Sequence, residues 1–559
     1  MENYCGVIFF GRNKRSRSSK AEPISVSFYE FFKYVLDLCV CVYIFLILVV
    51  MPFYNEEGFN HIGTDKSTFF KNCTIYGSKI VLPLLAIMAV TGVIMHIRTK
   101  GIPNGKALSV KSIIAACKKQ FSSTDCFALA YGISVIIAYL CSDYKETAMW
   151  GVKGWYMGLI PQLTVVVVYF LISRAWTRRN WLVALILPVS FIVFALGYLN
   201  RFGIYPIDMK LEAPEFISTI GNINWYCGYL VSIFFGVMFL FWKVEWKKVW
   251  QQLLMMGYLV IGFATLVTQG SSSGIFTMAV LFLFLFWLSV SDSRSMESFW
   301  LEMVLFSATC LVTCIMRVCG LLEITYIDTL IDLFTYSLIP IIMTLLSLAF
   351  WAWVRVTNNK GRYPQKIWKG LSVLVCGGSI ALVVLFVILL AINTAGGGII
   401  TKMTTMSEQN VLTFSPTWGS NRGATWTCGW LCFWEQDVLH KLTGVGPDCM
   451  EAFLYGAGSA ELVAVAEERF GTARLTNAHN EWLTILVNMG LLGLVSYAGM
   501  MITAIKRYIQ SRNVKVITAA CGICVLAYTV NNMFSFQQSM NIATIAVILG
   551  IGENYMREE

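Results

Sequence analysis

The sequence predicts an all-α protein, a polytopic membrane helix bundle of about fourteen transmembrane helices with a large, partly helical extracytoplasmic loop. Three observations predict it. Of 559 residues, 57% are hydrophobic and only 13% charged, with a mean hydropathy of +0.66, whereas a soluble surface needs roughly a quarter of the chain charged. Apolar runs of about twenty residues recur along the whole length, each long enough to cross ~30 Å of hydrocarbon. The loops between them alternate in charge, basic on one side and neutral or acidic on the other.

The first twenty-odd residues are polar and basic (Arg12, Lys14, Arg15, Arg17, Lys20) and run straight into a full-length anchor, so a cleaved signal peptide is not expected. Spans are expected at 32–53, 78–97, 126–142, 155–174, 181–200, 222–242, 251–269, 274–291, 299–320, 334–354, 370–391, 482–505, 514–533 and 539–555. One side receives the N-terminus, the 98–124 loop (Arg98, Lys100, Lys106, Lys111, Lys118, Lys119), Arg174, Arg178 and Arg179, and Lys243, Lys247 and Lys248. It also receives Arg294, the group Arg355, Lys360, Arg362 and Lys366, and the group Lys506, Arg507, Arg512 and Lys515. The opposite 321–333 loop holds Glu323, Asp328 and Asp332 and no basic residue. With fourteen spans every loop agrees with one orientation, which puts both termini in the cytoplasm.

The chain then divides into a basic cytoplasmic N-terminus (1–31), eleven transmembrane helices (32–391), a large extracytoplasmic loop (392–480) and three final helices (481–559). A net charge of +10 placed in this way speaks for a lipid bilayer and not for nucleic acid. Most of the seventeen cysteines lie in apolar spans, where thiols act as small hydrophobes. Cys428, Cys432 and Cys449 fall in the large loop without the paired Cys-x-x-Cys knuckles of a zinc site, and are read as structural. That loop opens on Gly396, Gly397 and Gly398 and reads as helices near 424–441 and 450–469, divided by the turn Gly444-Val445-Gly446-Pro447-Asp448. Its tryptophans and leucines favour an ordered structure on the membrane surface, and loops this long are usually functional or disordered.

With few ionisable groups in the spans, each one near the membrane is worth weighing. In Leu475-Thr476-Asn477-Ala478-His479-Asn480-Glu481-Trp482, Thr476 or Asn477 is expected to cap the twelfth span, putting His479 in its first turn. The helix terminus favours a neutral imidazole and attracts an anion, the form a general base needs. The plainer reading is a polar interfacial residue that bonds locally. Farther along, Asn488, Gly490 and Gly493 interrupt the apolar surface and read equally as ordinary helix packing. Glu435-Gln436-Asp437 reads as a solvated helix face.

His479-Asn480, nine residues, Gly490, two residues and Gly493 resembles the signature of the O-antigen ligase and O-antigen polymerase superfamily. Three further segments resemble it in the family's order: Gly221-Asn222-Ile223-Asn224-Trp225, then Arg422 in Trp418-Gly419-Ser420-Asn421-Arg422-Gly423-Ala424-Thr425-Trp426, then Gly444-Val445-Gly446-Pro447. The resemblance covers about 215–500. It implies transfer of a polyprenyl-diphosphate-linked glycan to an acceptor hydroxyl on a glycan, lipid or protein, without a cofactor or metal. Arg422 would hold the diphosphate and His479 would accept or orient the hydroxyl proton. Asn222, Asn224 and Asn480 would contact substrate, and Gly444, Gly446, Gly490 and Gly493 would shape the backbone. Many members carry Ser-Arg-Gly where this chain has Ser271-Ser272-Ser273-Gly274, so Arg317 or Arg201 becomes a candidate for the missing cation. A lipid-linked glycan flippase or other transporter is the rival class, and a non-catalytic envelope scaffold is another. A transporter is expected to show cavity-facing charges and internal repeats, and no repeat is evident here.

Overall fold

The computed structural model describes residues 24–100, 121–210, 213–321, 323–326, 328–397 and 411–557. The basic N-terminal residues, the 98–124 lysines from Lys106 to Lys119, and Gly398 lie outside these. Helices follow one another: α1 (Ile24–Phe45, continued as a π turn over Leu46–Val50), α2 (Ile62–Lys100), α3 (Ser123–Cys141), α4 (Lys145–Trp150), α5 (Leu159–Ala175), α6 (Asn180–Ala184) and α7 (Ile186–Asn200). A two-stranded antiparallel hairpin, β1 (Phe216–Ile217) and β2 (Gly221–Asn222), leads into α8 (Ile223–Lys243). Then come α9 (Val249–Thr268), α10 (Ser272–Ser289), α11 (Ser293–Val318), α12 (Thr329–Thr335), α13 (Ile339–Asn359) and α14 (Gln365–Ala395). The large loop carries α15 (Trp418–Glu435), α16 (Val438–Thr443), α17 (Met450–Gly456) and α18 (Ala460–Phe470), and the chain closes with α19 (Glu481–Gln510), α20 (Val516–Asn531) and α21 (Ser539–Arg557).

The fold is the expected all-α bundle, and each of the fourteen expected spans coincides with helix. Eleven helical segments are long and apolar enough to cross a membrane, and α5 and α20 are shorter apolar helices. α21 carries Asn541, Glu553 and Asn554, yet every residue from Ser539 to Asn554 is buried, because α5, α8 and α20 surround it. Shielding from lipid is what lets a helix carry such groups. α8 sits at the core against α20. α14 is the opposite case, with only Trp368, Ser372 and Asn393 buried. Two boundaries move: the second span belongs to a helix that starts at Ile62, and residues 155–158 of the fourth form a turn before Leu159.

At the end carrying the basic loops, the buried acids have partners. Asp125 pairs with Arg174 at 3.1 Å and with Arg557, and Glu553 pairs with Arg507 at 2.7 Å. Asp37 pairs with Arg179 at 2.7 Å. These bridges tie α1, α3, α5, α19 and α21 together at one level, which compensates for desolvating the charges.

From residue 411 the large loop forms a small core, with Cys428, Cys432 and Cys449 as buried free thiols among Met450, Leu454 and Leu462. Its described residues contain four helices where two were expected. The expected 424–441 helix stops at Glu435 because Asp437 caps a separate α16, its carboxylate accepting from His440 N–H at 2.8 Å. The expected 450–469 helix ends at Gly456, and Ser459 caps α18.

Candidate functional site

The loop joins the bundle through one crossing. α19 has a break at Gly490, where φ is 61° and ψ is −166°. The segment after α16 lies in that break: Val445 N–H donates to Val487 O at 3.1 Å and Gly446 N–H to Asn488 O at 3.0 Å. A Cβ at Gly490 would meet Leu442 backbone at 2.4 Å, and one at Gly444 would meet the Asn488 carbonyl at 2.2 Å. The Gly-x-Gly and His-Asn-to-Gly segments are therefore two halves of one backbone junction. Gly493 lies one turn beyond, its carbonyl accepting from Ser496 at 3.1 Å. The close approach at these glycines is made by a loop segment, where helix packing was expected. Gln436, read as solvated, is buried and donates to Val487 O at 3.1 Å. Asp448 completes the crossing, its buried carboxylate accepting from Val152 N–H at 2.8 Å and Met157 N–H at 3.2 Å.

His479 stands just before α19. Asn480, and neither Thr476 nor Asn477, is the cap, its side chain accepting from Leu483 N–H at 3.1 Å. Asn480 thus has a local structural job. Asn477 instead accepts from His479 N–H at 3.0 Å and sets a turn in which His479 has φ of 47°. The imidazole stacks edge-on against Phe536 at 5.1 Å, and its ring nitrogens have no hydrogen-bond partner among the described residues. Burial, and next the Arg422 guanidinium, push its pKa down to about 4. It is neutral as expected, but for these reasons and not because of a helix terminus.

Arg422 follows a left-handed run, Gly419, Ser420 and Asn421, that turns the start of α15. Its Nε donates to Phe534 O at 3.0 Å and its Nη1 to Gly419 O at 2.9 Å, and it has no carboxylate partner among the described residues. A cation held by carbonyls keeps its full charge for another anion. Arg422 bonds Phe534 and the His479 ring packs on Phe536, two residues of one turn, so groups distant in sequence are brought to the same place.

Asn222 caps α8 by accepting from Asn224 N–H at 2.9 Å, and Asn224 accepts from Ser271 Oγ at 2.9 Å. Ser271 bonds Ser273 at 2.9 Å, and Cys227 contacts both Ser273 and Asn531. A polar seam thus runs through the position of the family arginine, with Ser273 buried in it. Arg201 reaches the edge of this seam through Gln269, which bonds Ser271, and Arg317 is paired with an acid. Arg201 donates to Pro214 O at 2.6 Å and to Gln269 O, beneath the Tyr326 ring. Arg317 pairs with Asp332 at 3.0 Å and Thr335 at 2.6 Å.

Beside His479 lies a small polar cavity lined by Trp155, Asp448, Asn477, Glu481, Asn488 and Gln537 among others. Asn488 Oδ1 and Gln537 Nε2 face it without hydrogen-bond partners. Sequence reasoning passed over Glu481, which the structure buries under three donors. Its signal was an acid in the first turn of an apolar helix.

Fold and site define a multi-spanning membrane protein with a loop-covered polar site at one end of its bundle. Residues 324–498 match the family model described as O-antigen ligase, which supports an O-antigen ligase-type assignment of that stretch. Arg422, His479 and the four motif glycines lie inside the match, and Arg201, Asn222, Asn224 and Arg317 precede it. No curated protein matches the chain.

Proposed function

We propose that the protein transfers a glycan from a polyprenyl-diphosphate carrier to an acceptor hydroxyl at the extracytoplasmic face of the bacterial cytoplasmic membrane, in the assembly of a cell-surface polysaccharide. The observation that carries this reading is the meeting of a carboxylate-free guanidinium, Arg422, with a neutral imidazole, His479, where the loop joins the bundle. The acceptor oxygen forms a bond to the anomeric carbon as that carbon's bond to the diphosphate oxygen breaks. The diphosphate leaves as an anion on Arg422, and the hydroxyl proton passes to a ring nitrogen of His479. The guanidinium supplies the charge that a metal would otherwise supply. The acceptor is a second carrier-linked glycan for a polymerase, or a lipid or protein for a ligase.

The flippase reading receives less support. The buried acids Asp37, Asp125 and Glu553 are paired with arginines, and Glu302 in α11 is the buried acid without a hydrogen-bond partner among the described residues.

The test is transfer by full-length protein in vesicles, with a polyprenyl-diphosphate-linked oligosaccharide as donor. His479→Ala and Arg422→Ala should each lower turnover by roughly 10²–10⁴, with insertion unchanged. Wild-type turnover in either variant would overturn the assignment.

A further inference from the structure

Glu481 follows the His479-Asn480 pair and opens α19, where it is 2% exposed. A carboxylate buried at this depth persists only when donors surround it. Here three do: the phenols of Tyr497 and Tyr528 and the side-chain amide of Asn532. The Glu481 backbone N–H also donates to Asn532 O at 2.9 Å. One residue therefore grips Asn532 through both its main chain and its side chain.

Asn532 begins the turn between α20 and α21, and that turn touches both groups of the proposed chemistry. Its Phe534 carbonyl accepts from Arg422 Nε at 3.0 Å, and its Phe536 ring packs on the His479 imidazole at 5.1 Å. Among the described residues no hydrogen bond joins Arg422 to the imidazole, and although Arg422 Nη1 also donates to Gly419 O, the turn is the element that both side chains touch. We infer that Glu481 is the positioning residue that sets the Arg422–His479 geometry, acting through Asn532 and the 532–536 turn. This inference rests on the transferase reading of those two groups.

The carboxylate is chemically specific to this task. It accepts from three donors through two oxygens, with Tyr497 on one and Tyr528 and Asn532 on the other. Glutamine keeps one acceptor oxygen: with that oxygen toward Tyr528 and Asn532, its NH₂ faces the Tyr497 phenol, which must turn to accept, so the grip on Asn532 is weakened but kept. Alanine removes both oxygens and the whole grip.

The experiment compares wild type, Glu481→Gln and Glu481→Ala as full-length protein in nanodiscs, with Arg422→Ala and His479→Ala as references. Turnover and KM are measured with the lipid-linked oligosaccharide, and binding is measured with free polyprenyl diphosphate. Trp155 packs on Phe536 at 5.1 Å and Trp426 on Phe534 at 5.9 Å, so the part of the tryptophan emission lost in Trp155→Phe and Trp426→Phe backgrounds reports the turn. Glu481→Ala should lower kcat per folded molecule by about 10²-fold, the effect of a displaced catalytic group. It should weaken polyprenyl diphosphate binding by about tenfold and shift the emission, with Glu481→Gln intermediate. Wild-type kcat and KM per folded molecule in both variants, with only the folded yield reduced, would overturn the inference. If Glu481→Ala does not fold, Tyr528→Phe removes a single donor and is judged by the same criteria. Wild-type transfer by the two reference variants would instead sink the transferase reading, and the emission shift would still decide whether Glu481 positions the turn.

Discussion

The imidazole of His479 meets two obstacles to taking a proton, the loss of water around it and the positive charge of Arg422. An unfolded histidine titrates near 6.5, and the folded one near 4. Between these values the unfolded chain binds more protons, so this group withdraws stability as pH falls from 6.5 toward 4. Transfer should be flat above about pH 6 and decline in acid with a midpoint set by His479 in the free enzyme. Arg422→Gln should move that midpoint upward but leave it below 6.5, because burial remains; a titration of the imidazole proton resonances checks both statements. Asp448 has the opposite sign. Burial raises its carboxyl to about 7, against a few N–H donors that oppose the rise. Its contribution to stability is complete below about pH 4, the unfolded value, and is lost as pH rises through 7. Asp448→Asn should flatten the pH dependence of melting temperature across that window. His479 and Arg422 were legible as residues because few charges stand in this chain and their spacing resembles a family. For Arg201 and Arg317 the sequence shows a cation near an interface but not its partners, two carbonyls for Arg201 and the Asp332 carboxylate for Arg317. Arg317→Ala should leave turnover within about twofold, since the residue's partners, Asp332 and Thr335, lie outside the site. Arg201→Ala should lower the melting temperature by removing the tie between Pro214 and Gln269.

At the level of elements, the informative case is the glycine junction. Gly490 occupies a backbone region that only glycine adopts at low cost, and its missing Cβ makes room for the Leu442 backbone. Backbone cannot move aside as a side-chain tip can. Gly490→Ala and Gly444→Ala should each cost at least ~2–3 kcal/mol and sharply reduce folded protein, as read by size-exclusion profile and melting temperature. Gly257→Ala is the control. Nothing lies within 4 Å of its Cβ position in the middle of α9, so alanine should be neutral or slightly stabilising. The glycines could be picked out in the sequence, but their partner could not. Close approach between spans is the usual reason for small residues three apart, and no local pattern announces that a loop segment crosses a helix. Helix ends in the loop went the same way: Asp437 and Ser459 are caps that split apparently continuous runs.

For the molecule as a whole, period and charge did most of the work. A span is a local property of about twenty residues, so the helices at all fourteen expected positions were visible, eleven of them in segments long and apolar enough to cross a membrane, and α21 carries a Glu553 that its burial among other helices explains. The alternation of basic loops predicts one orientation for all of them. A reporter fused at Gly397 should therefore be active outside the cytoplasm, and one fused at Lys360 inside; the reverse result would place the site on the wrong face for a lipid-linked donor. What stayed hidden was the tertiary meeting of the 532–536 turn with the large loop, because contact between segments so distant in the chain leaves no periodic trace.

The interruption of α19 at Gly490 also acts as a measure of length. From Glu481 to Met489 the helix rises about 1.5 Å per residue, so roughly 13 Å separate the imidazole's foothold from the place where Val445 threads across. Adding one residue to that stretch would swing His479 about 100° around the helix while the crossing stayed put. A single insertion between Thr484 and Val487 should abolish turnover, and a compensating deletion three residues away should restore the bearing.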